Sequence, residues 1–156
     1  MLPGSRAAAA AEHTVRVTII AGETPADGGY NFNGYARGGM TLTVPVGWKV
    51  IVEFENAAAL AHSLVVLPYA STQPPAPPDK PVFPGAATKD LATGLPRGTR
   101  ATFSFMASRP RTYELTCGVP GHAVAGMWDK LVVSATAKKP SITPAPAAKA
   151  VHLIDQ

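Results

Sequence analysis

The sequence predicts an all-β Greek-key sandwich or barrel of about seven or eight short strands, interrupted by a proline-rich insertion. Three observations carry this. Apolar and polar residues alternate at period two in several segments, Gly and Pro number 14 and 16, and no stretch holds a long helical pattern. At 156 residues the chain suits one domain with a single core.

The elements follow in order. HTVRVTII sends Val15, Val17 and Ile19 to one face and Thr14, Arg16 and Thr18 to the other, a half-buried strand. AGETPADGG is a turn-rich connection, and YNFNGYARGG reads as an irregular strand. Met40, Leu42 and Val44 alternate up to Pro45, and Val46-Gly47 makes a turn. Trp48, Val50, Val52 and Phe54 then face inward while Lys49, Glu53 and Glu55 face out, the mark of a sheet with one packed and one wet face. HSLVVLPY is the next strand, ending at Pro68.

Residues 68–84 carry seven prolines, which a central strand does not tolerate, so a surface excursion is expected. AATKDLATGL is expected to form a turn or two of helix. Strands resume at TRATFSFM, RTYELTC and MWDKLVVSA. The domain map is a flexible alanine-rich start (1–12), one domain (13–135, insertion 68–98), and a Pro/Ala-rich mobile tail (136–156) whose final VHLIDQ is apolar enough to dock.

Composition excludes several classes. The net charge of +4 comes from scattered Lys and Arg, which argues against nucleic-acid binding. One cysteine rules out an internal disulfide framework. No stretch reaches the roughly 20 apolar residues of a spanning helix, and MLPGSRAAAAAEH lacks the apolar centre of a secretory signal.

The informative stretch is CGVPGHAVAGMW, with four residues between Cys117 and His122 and four between His122 and Met127. Alternation along RTYELTC turns the thiol toward the core, and Pro120-Gly121 suits a type II turn that folds His122 back beside it. AVAG then returns Met127 to the same point. His62 opens an apolar strand and is the leading candidate for a fourth ligand, whereas His13 and His152 lie near the ends. Two imidazoles, a thiolate and a weak axial thioether form the electron-transfer copper set, serving Cu(I) and Cu(II) alike. Structural zinc prefers Cys-rich or Cys/His sets, and calcium and magnesium prefer oxygen. Singly, each residue has a plain role: Met127 as core filler, Cys117 as a buried thiol, His62 as a polar strand end.

These residues resemble the cupredoxin family of blue copper proteins. CGVPGHAVAGMW and Tyr30-Asn31-Phe32-Asn33-Gly34 are most similar to sulfocyanin motifs, and His62-Ser63 resembles rusticyanin. Over roughly residues 13–135 the resemblance implies a Greek-key sandwich holding one type 1 copper ion and carrying single electrons in a respiratory chain outside the cytoplasm. Redox partners such as a cytochrome or terminal oxidase are then expected. Sulfocyanins commonly carry an N-terminal membrane anchor; the opening residues do not resemble one, which leaves tethering open.

Rigid support of the ligands is expected from Asn56, bonding across to the Cys117 loop, and from Ser63; a plain turn Asn and strand Ser are the alternatives. No charged residue occurs from Asn56 to Pro78 or from Leu115 to Trp128. A dry rim of Val119, Pro120, Ala123, Val124 and Tyr69 around His122 is therefore expected to raise the potential and dock the partner, with ordinary loop packing as the alternative. Copper catalysis lacks an open position and a nearby acid, since Glu114 should face away from Cys117. Copper storage typically favours sites of several Met or Cys, and only one of each appears in the motif; Cys-His nucleophilic catalysis leaves Met127 and His62 unexplained.

Overall fold

A computed structural model describes residues 13–144 and 154–155 of the chain. Among them, nine strands form two sheets: β1 (Thr14–Ala21), β2 (Thr41–Pro45), β3 (Lys49–Asn56), β4 (Val65–Pro68), β5 (Arg100–Met106), β6 (Arg111–Thr116), β7 (Trp128–Ser134), β8 (Ser141–Thr143) and β9 (Ile154–Asp155). One sheet runs β5-β3-β1-β9 and the other β4-β6-β7-β2-β8. β1 pairs in parallel with β3, and β2 with β7. The chain therefore crosses between sheets repeatedly, as an all-β Greek-key sandwich requires.

The period-two pattern becomes burial directly. Val15, Val17 and Ile19 of β1 and Val50, Val52 and Phe54 of β3 all point into the core. There they meet Leu42, Val44, Tyr113, Leu115, Leu131 and Val133 of the other sheet. Phe83 stacks on Phe105 and tilts against Tyr113, with ring centroids 5.3 and 4.8 Å apart. Each such large side chain removed from water contributes about 1.5–3 kcal/mol, so the apolar faces drive the closure.

Strand directions put the candidate site at one end. β3 finishes at Asn56 and leads to His62, β6 finishes at Thr116 immediately before Cys117, and β7 begins at Trp128 just after Met127. Antiparallel pairing of Thr116 with Trp128 sets the two ends of the intervening loop side by side.

Several segments depart from expectation. HSLVVLPY is strand only from Val65, because His62 pairs with Leu95 and Ser63 N–H turns to Cys117 Sγ. AATKDLATGL forms turns and no helix, and YNFNGYARGG makes isolated bridges from Phe32 to Ala21 and Tyr35 in place of a strand. The insertion is more than a surface excursion. Val82 N–H donates to Val66 O and Val66 N–H to Ala86 O, and Phe83 and Ala86 enter the core. The Pro/Ala-rich tail is likewise not all linker, since Ser141–Thr143 adds β8 to β2. The backbone of Ile154–Asp155 pairs with β1. The alanine-rich start and His152 lie outside the described residues.

Glu114 fastens the insertion. Its buried carboxylate accepts hydrogen bonds from Ala70 N–H at 3.1 Å and Gln73 Nε2 at 2.9 Å. Burial raises its pKa above the ordinary carboxylate value, against the opposing pull of those two donors. A carboxyl raised in the folded state stabilises fully below the unfolded pKa, and that contribution is lost as pH rises through the folded value. Glu114→Gln is therefore expected to melt at or below the wild-type temperature in acid and above it at neutral pH. Parallel thermal denaturation of both proteins across this range checks the crossing.

Candidate metal centre

Three donor atoms converge at the end of the sandwich. His62 Nδ1 and His122 Nδ1 are 3.1 Å apart, and Cys117 Sγ lies 3.5 Å from His122 Nδ1 and 3.9 Å from His62 Nδ1. All three fall within 4.8 Å of one another. His62 and Cys117 are buried, while His122 is partly exposed. Met127 is fully buried on the same loop: its N–H donates to His122 O at 3.0 Å and its carbonyl accepts from Cys117 N–H at 3.1 Å.

Local chemistry accounts for each placement. Gly121 adopts φ +86°, the left-handed conformation that the Pro120-Gly121 turn requires, and His122 N–H donates to Val119 O. Gly121 N–H reaches across to Pro75 O at 2.8 Å, so the proline-rich insertion holds the ligand loop from outside. His62 is gripped by a two-way backbone pairing with Leu95, at 3.2 and 2.8 Å.

The support runs differently from the sequence expectation. Asn56 does not bond to the Cys117 loop. Its Nδ2 donates to Leu60 O at 2.9 Å and Leu95 O at 2.8 Å, and its Oδ1 accepts from Ala58 N–H at 2.9 Å. It shapes the chain leading to His62. Ser63 makes the crossing instead: its N–H points at Cys117 Sγ at 3.4 Å, its Oγ accepts from Gly118 N–H at 2.9 Å, and that hydroxyl donates to Leu91 O at 2.8 Å.

The electrostatics favour a cation. Burial and, secondarily, repulsion from His122 lower the His62 pKa to about 4, and burial lowers that of His122. Burial pushes the Cys117 thiol up, against the pull of Ser63 N–H. Burial thus disfavours a positive charge on either imidazole, and two ring nitrogens and one sulfur gather around a common point. A soft metal ion supplies the missing charge, and the nitrogen and sulfur donors fit copper. Glu114 is engaged with the insertion and gives this centre no acid.

The model of the "Sulfocyanin (SoxE) domain" family matches residues 6–143. The chain belongs to the sulfocyanin family. Sulfocyanin of Sulfolobus acidocaldarius is 34% identical over 127 residues, covering 78% of this chain and 64% of that one. The present chain thus spans under two thirds of that relative's length. Among solved structures, the copper protein rusticyanin aligns with TM-score 0.60 at 24% identity, over 78% of each chain, a likeness of fold. Reduced auracyanin from Roseiflexus castenholzii aligns with TM-score 0.56 at 25% identity, over 78% of this chain and 96% of that one.

Two features of this sulfocyanin-family site escaped the sequence reading. Tyr30 sits edge-on to His122, with ring centroids 4.9 Å apart, and Arg37 N–H donates to Gly126 O at 2.8 Å. The dense aromatic and glycine content of YNFNGYARGG was the available signal. The expected rim also changes: Ala123 is buried, and Tyr69 packs against Trp128 and under the Lys130 ammonium. Val124 is half exposed and Pro120 exposed.

Ser63→Ala leaves the buried Gly118 N–H without its acceptor and is expected to cost about 1–3 kcal/mol of stability in the copper-free protein. Asn56→Ala removes the side-chain donor to Leu60 O and Leu95 O and the acceptor of Ala58 N–H, and should cost a similar amount. Urea titration of each variant checks both values.

Proposed function

We propose that His62 Nδ1, His122 Nδ1, the Cys117 thiolate and the Met127 thioether would hold one type 1 copper ion, and that the protein carries single electrons. The convergence of the two imidazole nitrogens and the thiol within 4.8 Å carries this reading. Copper bound there would supply a one-electron Cu(I)/Cu(II) couple. The chain's part is to keep the donors nearly still while the charge changes. Ser63 fixes the sulfur, Leu95 and Asn56 fix the approach to His62, and Pro75 fixes the turn before His122. Burial of Cys117, His62 and Met127 excludes water and disfavours the higher charge, which raises the potential.

Family membership supports a setting outside the cytoplasm, in a respiratory chain, with a cytochrome or terminal oxidase as partner. His122 is the ligand that reaches toward solvent, and Val119, Pro120 and Val124 are uncharged residues of the same loop that are partly or fully exposed. A partner docks there briefly and exchanges its electron through the His122 ring. Catalysis finds less support, because the four donors leave no open position and Glu114, on the strand leading to Cys117, is tied to Gln73.

Absorption and electron-paramagnetic-resonance spectra of the copper-loaded protein test the assignment. An intense thiolate-to-copper band is expected in the wild type and its loss in Cys117→Ser; a colourless wild type would sink the reading. Val124→Lys is expected to slow electron exchange with the partner about tenfold while leaving the visible spectrum unchanged, as measured by stopped-flow mixing.

A further inference from the structure

The segment from Tyr30 to Met40 takes no part in the donor set, yet it is built onto it. Asn31 is fully buried: its Nδ2 donates to Thr24 O at 2.9 Å and Ala26 O at 2.8 Å, and its Oδ1 accepts from Gly34 N–H at 2.9 Å. Asn33, also buried, accepts from Ile20 N–H at 2.7 Å through Oδ1 and donates from Nδ2 to Thr18 O at 3.3 Å. Phe32, between them, fills the core. Asn33 and Phe32 therefore anchor the segment to β1, Asn31 anchors it to the 24–26 turn, and what they hold in place is Tyr30.

The Tyr30 ring meets both imidazoles edge to face. Its centroid lies 4.9 Å from that of His122, at an interplanar angle of 70°, and 6.1 Å from that of His62, at 79°. The two imidazoles are themselves 4.9 Å apart at 66°. Three rings at mutual near-perpendicular angles leave each little freedom to turn about its own axis. Beyond Tyr30 opens a cleft of about 510 Å³ that includes Pro25, Ala58 and Leu60 in its wall and reaches His62. Tyr30 stands in that wall beside the histidine.

The other end of the segment holds the ligand loop. Arg37 N–H donates to Gly126 O at 2.8 Å, Gly38 N–H to Trp128 O at 2.9 Å, and Arg37 Nη2 to Ala125 O at 2.8 Å. The same guanidinium pairs with Asp27 at 3.3 Å in an exposed contact, which is worth little by itself. The fit is tight at Gly126, whose φ is +116°. A Cβ there would stand 2.5 Å from Asp27 Oδ2 and 3.0 Å from Arg37 Cγ. Met40 N–H donates to the buried Asp129 Oδ1 at 3.1 Å and closes the segment onto β7.

We infer that residues 30–40 form a clasp in which Tyr30 and Arg37 are positioning residues. Tyr30 sets the orientation of the His62 and His122 rings, and Arg37 holds the 125–128 backbone that leads into and out of Met127. The inference rests on the copper reading for its consequence, but its structural content concerns the chain alone.

Four proteins test it: wild type, Tyr30→Phe, Tyr30→Leu and Arg37→Gln. In the copper-free state, amide hydrogen exchange should quicken at Gly126 and Met127 in Arg37→Gln while the β1 and β3 amides keep wild-type rates. The His62 and His122 ring resonances should broaden in Tyr30→Leu and stay sharp in Tyr30→Phe. In the copper-loaded state, removal of the metal by a chelator should be tenfold to a hundredfold faster in Tyr30→Leu and Arg37→Gln than in wild type, with Tyr30→Phe restoring the slow rate. The copper hyperfine splitting should change in Tyr30→Leu. Unchanged exchange, ring resonances and chelation in Tyr30→Leu and Arg37→Gln would overturn the clasp. So would a uniform acceleration of every amide, which marks a merely structural role. A wild type that never turns blue would defeat the copper reading, while the copper-free measurements would still decide the clasp.

Discussion

One serine ties the two halves of the candidate centre together. Through its amide and its hydroxyl, Ser63 touches the sulfur of Cys117, the backbone of Gly118 and the carbonyl of Leu91. Those groups belong to the end of β6, the start of the ligand loop and the insertion. A buried hydrogen bond has modest net worth, but a buried polar group without a partner is expensive. The three segments therefore keep one relative position, and the place of His62, immediately before Ser63, follows from it. The other supports around the site are arranged about this crossing.

Most of the fold could be read from alternation. β1, β3, β5, β6 and β7 stand where the period-two segments placed them, because each strand buries one face against the same core. Alternation says nothing about irregular backbone, and the misplaced readings fall there. The insertion's many prolines suggested solvent, whereas Phe83 and Ala86 found room inside and 82–88 borrowed hydrogen bonds from β4. A short strand such as β8 carries too few residues to announce a period.

The convergence of His62, Cys117 and His122 was legible for a different reason. Cys117, His122 and Met127 share one loop, so their spacing carries their proximity, and His62 was singled out by its strand-start position. Their supports were less visible because hydrogen bonds to carbonyls leave little trace in residue identity. Asn56 looked like a brace for Cys117 and serves the loop before His62. Tyr30 and Arg37 come from a stretch almost a hundred positions away from the loop they meet; Arg37 and Ala125 are 88 apart. No local pattern records such a meeting.

The separation of the donors also bears on assembly. His62 and Cys117 are 55 residues apart, and their meeting depends on β3 pairing with β1 in parallel and on β6 pairing with β7. An unfinished chain offers an incoming ion scattered single ligands instead of a cage. Tight capture is thus reserved for the completed sandwich, and by mass action a bound ion weights the equilibrium toward that state. The metal would serve as a late lock on the architecture as well as its working part.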